Sequence, residues 1–397
     1  METLWNIGEL PFVWSMLDKP TNGDDLPDRI PFLLGIDRNT GTLIQIPNDP
    51  IASVLEVAYR KGSKIAGMMG EEDAGNKYVY DFLEYLKGAL RTKDFTGKKI
   101  LDIGCGSGFL LFLLKELGAE VMGIEPGEIG QYGSKKYNLP IIKSTFSSHH
   151  VADKFDIIIS TFVLEHIKEP LNFLQDCKTV LKDDGSLLLS VPNCEPFIEV
   201  GDISMLIHEH YNYFTSLSLK NILDSAGLDS QIRMSSYGNS LYTLMRKIDG
   251  QQNKYINSDV LETDKCLVLA RDFKLKARAF IKKIEEYFHR ITRSGQTLGV
   301  YVPSRLINVL SIINVDLSKC RFFDDDLLMH NTYFPSFDIP IENRESLLNR
   351  PTDHLFIASY TFGEKIKNRI SSIEDIGTKI TTWSDIISSE KIVRLLE

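Results

Sequence analysis

The chain has 397 residues, 43% hydrophobic and 25% charged, which excludes a disordered or fibrous protein and allows a sizeable buried core. Its formal net charge of −9 argues against a broad phosphate-binding surface, so nucleic acid is not an expected partner. Apolar runs such as Leu110–Leu114 fall far short of the roughly 20 residues that cross a bilayer, and Met1-Glu2-Thr3-Leu4-Trp5 has no basic segment leading into an apolar one, so the expectation is a cytoplasmic protein without a membrane span.

Length favours two or three domains, and motifs must decide between them. Residues 1–75 mix turn-formers such as Lys19-Pro20-Thr21-Asn22-Gly23 with one strand-like run, Gly41–Ile46, and read as a small irregular lobe. Val79, Phe82, Leu83, Leu86 and Leu90 recur at helical spacing and predict an amphipathic helix over Lys77–Leu90. Across 76–250, strand-like runs at Lys99–Ile103, Glu120–Ile124, Ile141–Thr145, Phe155–Ser160 and Ser186–Val191 alternate with helical runs at Gly108–Leu117, Gly130–Tyr137 and Pro170–Leu181. That order predicts an α/β domain with a Rossmann-like parallel sheet, whose ligands bind beyond the carboxyl ends of the strands.

Residues 251–295 read as a linker helix, with Leu267, Ala270, Phe273, Ala277, Phe280, Ile281 and Ile284 on one stripe between about Asp259 and Ile291. In 296–397, strands at Leu298–Val302, Arg321–Phe323 and His354–Ala358, with helices at Ser304–Ile312, Ser346–Asn349 and Phe362–Ile370, predict a second, smaller α/β domain. Five cysteines, odd in number and never closely paired, support neither a disulfide framework nor a cysteine zinc site.

The first strand of the central domain runs into Asp102-Ile103-Gly104-Cys105-Gly106-Ser107-Gly108, where three glycines let the backbone turn tightly and approach a ligand. About 20 residues on, the next strand ends in Glu125, whose carboxylate can accept both hydroxyls of a ribose. A nicotinamide dinucleotide would want Gly-x-Gly-x-x-Gly; here the third glycine comes one residue early and Phe109 fills the other slot. Together with Glu125-Pro126, the strand Phe155–Ile159 and the turn Val163-Leu164-Glu165-His166-Ile167, the motif resembles class I S-adenosylmethionine methyltransferases over roughly residues 77–247.

That resemblance implies S-adenosylmethionine as cofactor, with Asp102, Gly104, Cys105, Gly106 and Gly108 around the methionine moiety and Glu125-Pro126 on the ribose. Thr145 and Phe146 fall near adenine, and Thr161 and Glu165 complete the set. Phe146 can equally be core, and His166 can either line the acceptor side or serve as a structural histidine in its turn.

Past Ser190-Val191-Pro192-Asn193, a loop reaches Ile207-His208-Glu209-His210-Tyr211-Asn212-Tyr213. Methyl transfer to a hydroxyl or carbon acid needs a base, and histidine titrates near neutrality. A structural histidine cluster, a metal pair of His208 with His210, and surface polarity remain open alternatives.

This run, with Leu219 to Gly227 and Tyr237-Gly238-Asn239-Ser240-Leu241, resembles sugar C-methyltransferases that act on nucleotide-linked deoxy-keto sugars in antibiotic and polysaccharide pathways. Leu298–Tyr301, Phe323–Asp326 and Pro335–Ile341 resemble that family's terminal domain. The resemblance implies His210 as the base that takes the proton alpha to the ketone, with Glu209 assisting and His208 beside them. Asn193, Tyr211, Tyr213, Asn239, His166 and Arg305 are the candidates for binding the acceptor.

Two departures stand out. Ile207 occupies a position that carries a tyrosine in the family. Asp37 and Thr40 stand where the family's N-terminal lobe has zinc-binding cysteines, so the lobe is expected without metal, held by packing alone.

The first βα turn of the C-terminal domain, Tyr301-Val302-Pro303-Ser304-Arg305, lacks the family's glycines, which leaves Arg305 to hold a phosphate or carboxylate. The expected function is methyl transfer to a carbon of a nucleotide-activated keto sugar, without a metal, by a monomer or homodimer. An O-methyltransferase for a sugar or other small hydroxylated metabolite, and a non-catalytic cofactor-binding subunit, are the alternatives.

Overall fold

The computed structural model describes residues 1–23, 25–61, 73–248, 260–359, 362–371 and 377–387. The boundary expected at 250/251 and the expected helix start at Asp259 lie outside these residues.

The N-terminal lobe is an ordered sheet, not an irregular segment. Strands β1 (Glu2–Pro11), β2 (Arg29–Ile36) and β3 (Leu43–Gln45) pair antiparallel in that order. The first strand escaped notice because its register shifts twice, between Thr3 and Trp5 and between Asn6 and Gly8, which blurs the alternation that marks a strand. The Asp37–Thr42 turn is closed by hydrogen bonds, a correction to packing alone. Thr40 Oγ1 donates to Asp37 Oδ2 at 3.0 Å, Gly41 N to the Asp37 carbonyl at 2.8 Å, and Asp37 N to the Thr42 carbonyl at 2.9 Å.

The central sheet holds β4 (Lys99–Ile103), β5 (Glu120–Ile124), β6 (Ile141–Ile142), β7 (Phe155–Thr161) and β8 (Leu181–Pro192), all mutually parallel. β6 is shorter than expected because Ser144 N turns back onto the Ile142 carbonyl. Strand β9 (Asn212–Tyr213) leaves this sheet and pairs with β3, so the loop before it is clamped between the lobe and the central sheet. Strands β10 (Leu228–Met234) and β11 (Ser240–Lys247) complete the order β10-β11-β8-β7-β4-β5-β6, with β11 antiparallel to both neighbours. Chain order reverses between β4 and β7, which opens a crevice at their carboxyl ends.

The helix Val260–Arg293 is more than the linker expected. Its Phe273, Ala277, Ile284 and Phe288 are buried in one core with Phe32, Leu34 and Ile36 of the lobe and with Val300 and Phe356 of the C-terminal sheet. That sheet is wholly parallel: β12 (Leu298–Tyr301), β13 (Cys320–Phe323), β14 (Ile341–Glu342), β15 (His354–Ile357) and β16 (Lys379–Thr382), in the order β14-β13-β12-β15-β16. The helix expected over Ser304–Ile312 breaks into a 3-10 turn, Pro303–Arg305, and one helical turn, Ile307–Leu310, because Val302 enters it in a left-handed conformation (φ 61°).

Candidate active site

The glycine turn leaves β4 and starts the helix Phe109–Glu116. All three glycines have positive φ, yet they serve different ends. A Cβ on Gly104 would meet Val163 Cγ2 at 2.3 Å, and one on Gly108 would meet Leu139 at 2.9 Å, so both are demanded by packing. A Cβ on Gly106 would meet nothing within 4 Å. Its bare face is where a ligand can lie against backbone.

Glu125, at the tip of β5, closes the other side of that face. Its Oε2 accepts from Gly106 N at 3.0 Å and its Oε1 from Gly127 N at 2.8 Å. Burial raises its pKa, and these two N–H groups oppose the rise. Each oxygen keeps a further lone pair for a hydroxyl. Asp102 is buried with Oδ1 unpartnered among the described residues, and burial followed by the Glu125 charge raises its pKa strongly. A ligand donor is the missing partner for such an oxygen. Buried Cys105 is held as a neutral thiol, chiefly by desolvation.

Pro126 and Thr145 lie exposed on the rim beyond β5 and β6, while Phe146 turns its ring edge-on to Phe173 at 5.7 Å and packs on the core. Thr161 and Glu165 are buried at the carboxyl end of β7.

The two histidines of the 207–213 loop part company. His208 is buried in the lobe, its ring edge-on to Phe12 and Phe32 and its Nε2 donating to the Ile30 carbonyl at 3.1 Å. Desolvation lowers its pKa to about 4, and it serves the lobe's packing, a correction to its expected place beside the base. His210 turns the other way, its ring 4.7 Å from that of His166 and nearly perpendicular to it. No hydrogen bond links the His210 ring to a described residue. Its pKa is lowered strongly by burial, then by His166 and then by the charge of Arg305, so it is a neutral imidazole with a lone pair to offer.

His166 is held in one tautomer. Its Nδ1 lies 3.1 Å from the Glu209 carbonyl, which can only accept, so Nδ1 carries the proton and Nε2 is bare. Burial lowers its pKa to about 4. Glu165 completes the group: desolvation raises its carboxyl to about 8, and Oε2 has no described partner. Glu209 itself is half-buried, its carboxyl pushed up to about 7 by desolvation.

Glu165, His166 and His210 present one ligand atom each within 4.8 Å of one another, a donor set that could hold a divalent cation as well as relay a proton. Sequence reading weighed only His208 with His210 as a metal pair. It missed this trio because His166 and His210 stand 44 positions apart and are brought ring to ring only by the fold.

Other expected acceptor contacts are engaged elsewhere, and three corrections follow. Tyr213 is fully buried, its hydroxyl donating to the carbonyls of Ile207 (3.0 Å) and His210 (3.1 Å), so it shapes the loop that carries His210. Tyr211 packs on the lobe cluster around Phe12, Trp14 and Ile51. Asn193 and Asn239 bond mainly to each other: Asn193 Nδ2 reaches Asn239 Oδ1 at 3.3 Å and Asn193 N reaches the Asn239 carbonyl at 3.2 Å, latching β8 to the β10–β11 hairpin.

Aromatic rings unmarked by the sequence reading line the same side: Tyr78 meets Phe162 at 5.8 Å and Tyr237 at 4.9 Å. Phe162 has φ 56°, strain of about 1–3 kcal/mol in a non-glycine residue that clusters at functional sites.

Residues 76–231 match a family model described as a methyltransferase domain. The ubiquinone biosynthesis O-methyltransferase of Actinobacillus pleuropneumoniae serotype 5b is 37% identical over 111 residues, covering 24% of this chain and 47% of that protein. The enzyme of that name from Dinoroseobacter shibae is 32% identical over 163 residues, covering 37% and 66%. The chain thus spans about half to two thirds of the length of these curated relatives. A magnesium protoporphyrin IX methyltransferase from Synechocystis, solved with S-adenosylhomocysteine, overlays with a TM-score of 0.35 at 19% identity, covering 43% of this chain and 83% of that one. The family match thus falls on residues 76–231, the part of the chain that carries the glycine turn and Glu125, and describes that part as a methyltransferase domain.

Proposed function

We propose that the chain transfers the methyl group of S-adenosylmethionine to a carbon of a nucleotide-activated keto sugar, with His210 taking the proton alpha to the ketone. The observation that carries this reading is His210 itself: a half-buried, neutral imidazole with no described hydrogen-bond partner, on a loop clamped beside the β4–β7 crevice.

When bound, the cofactor supplies an electrophilic methyl group on a sulfonium. The Gly106 backbone and the Glu125 carboxylate would hold its nucleoside. His210 would take the alpha proton at a bare ring nitrogen, and the methyl's bond to sulfur would break in the same transfer, releasing S-adenosylhomocysteine. His166, fixed by the Glu209 carbonyl, aims a bare Nε2 at this group and can take the proton onward. Glu165 is buried behind the two half-buried histidines and keeps the inner side of the group away from bulk water.

A second reading is O-methylation. It is favoured by Ile207, which leaves the relay without the tyrosine of the sugar C-methyltransferases, and by the names of the relatives, which are O-methyltransferases. The same base would then take a hydroxyl proton. A keto-sugar nucleotide deuterated at the alpha carbon separates the two. Loss of deuterium from the methylated product supports carbon methylation, and its retention overturns it.

A further inference from the structure

Besides the glycine turn, Glu125 and the histidine loop, the crevice has an aromatic wall, and a strained residue starts it. Thr161 ends β7, and Phe162 follows with φ 56°, its N–H donating to the Ser190 carbonyl of β8 at 2.8 Å. A bulky residue keeps that conformation only where its surroundings impose it, and such outliers gather at binding sites. Contacts with β4 fix where Phe162 stands. Ser160 Oγ donates to the Ile103 carbonyl at 3.0 Å, and Val163 fills the space that a Cβ on Gly104 would need. Phe162 comes between these two contacts in the chain, on the side of the glycine turn away from β5 and Glu125.

Two more rings meet it there. Tyr78, on the helix Asp73–Leu90, crosses Phe162 edge-on with centroids 5.8 Å apart, and Tyr237 crosses Tyr78 at 4.9 Å. All three rings are half-buried, so they face the crevice edge and are not sealed in a core. Tyr237 sits at the tip of the β10–β11 hairpin, which reaches the same edge because β11 runs antiparallel to β8 and pairs Ser240 with Pro192. The tip is held down firmly. Asp81 Oδ2 accepts from Ser236 N (3.1 Å), Tyr237 N (3.3 Å) and the Tyr242 hydroxyl (2.9 Å), and a Cβ on Gly238 would collide with the Tyr78 ring. This wall already draws one cation: Lys77 Nζ stands 5.9 Å from the Tyr237 ring centroid.

We infer that Phe162, backed by Tyr78 and Tyr237, reads the positive charge on the cofactor's sulfur and so shifts binding toward S-adenosylmethionine over S-adenosylhomocysteine. The two molecules differ by a methyl group and a positive charge, both on sulfur, which is attached next to the ribose. A nucleoside gripped by Glu125 at the β5 tip has the β4 turn beside it and the end of β7 beyond, where Phe162 stands. Ring faces are electron-rich and attract a cation, more strongly where water is thinned out, whereas a neutral thioether gains nothing from the charge. Unlike a carboxylate, a phenyl ring offers the methyl no nucleophilic lone pair. The inference concerns the cofactor alone and borrows nothing from the choice of acceptor.

Calorimetric titration of the full chain with S-adenosylmethionine and, separately, with S-adenosylhomocysteine tests it through the ratio of the two dissociation constants. Phe162→Leu should weaken S-adenosylmethionine relative to S-adenosylhomocysteine roughly five- to thirty-fold. Tyr78→Leu should move the ratio the same way by less, and Phe162→Tyr, which keeps a ring, should bring it back to the wild-type value. A merely structural role would weaken both ligands alike and leave the ratio where it was. An unchanged ratio in Phe162→Leu overturns the inference, and so does an unchanged ratio in Tyr78→Leu if Phe162→Leu does not fold.

Discussion

The two parallel sheets end their first strands in opposite ways. After β4 the turn is bare: Gly106 leaves backbone open and Glu125 brings a carboxylate to its edge, which suits a ligand rich in hydroxyls and carrying a cationic sulfur. After β12 the turn is filled, with Val302 and Pro303 where N–H groups would gather and the Arg305 guanidinium without a hydrogen bond or ion pair to any described residue. Similar topology thus ends in two different surfaces, decided by a few residues at the switch point rather than by the sheet. The 207–213 loop lies between them and carries His210.

The sharpest way to break that comparison is to remove the group in the middle. His210→Ala should lower turnover about 10²–10⁴-fold while S-adenosylhomocysteine affinity, read by calorimetry, stays as it was. Unchanged turnover would dismiss the base. The glycine side alone is probed by Glu125→Ala, expected to weaken S-adenosylhomocysteine about 10–100-fold through lost charge-assisted hydrogen bonds.

Next in size is His208→Ala. It should reduce stability by about 1–3 kcal/mol by leaving the Ile30 carbonyl unpaired, lowering the melting temperature with turnover per folded molecule retained. His208 also predicts an acid limb. Its pKa is about 4 folded against 6.5 in the free side chain, so the unfolded chain binds more protons between these values and stability falls as pH drops from 6.5 to 4. His208→Gln, able to donate to the same carbonyl, should flatten that limb in melting curves.

Glu165 has the opposite sign. With a folded pKa of about 8 against 4.5, it contributes stability in full below pH 4.5 and loses it as pH rises towards 8. The melting temperature of Glu165→Gln should therefore gain on the wild type steadily across that window. The smallest effect is none: dialysis against a chelator should leave turnover unchanged, because His210 must keep its lone pair for the acceptor proton. Activity lost to chelation and restored by a divalent cation would assign Glu165, His166 and His210 to a metal instead.

Much of the central sheet was legible because strands buried on both faces, such as Phe155–Ile159, and amphipathic helices such as Lys77–Leu90 declare themselves by local periodicity. Glu125 was legible from its spacing after the glycine turn. The lobe was not, since β1 carries register shifts and the sheet is completed by β9, a strand far along the chain that pairs with β3. The core role of Val260–Arg293 was hidden too, because an apolar stripe does not say what it packs against. Two positions separate His208 from His210, yet one faces the lobe and the other the crevice, a split set by the turn that Tyr213 holds through the carbonyls of Ile207 and His210. Similarly, Asn193 and Asn239 read as polar loop residues free to bind a ligand, and only their proximity shows that each already holds the other.

Calorimetric titration of S-adenosylhomocysteine into the wild type and into Glu125→Ala tests the central claim most directly, that Gly106 and Glu125 form the cofactor's nucleoside site. Saturable 1:1 binding by the wild type, weakened about 10–100-fold by the substitution, is the predicted result. No binding by the wild type, or equal affinity in the two proteins, would contradict it.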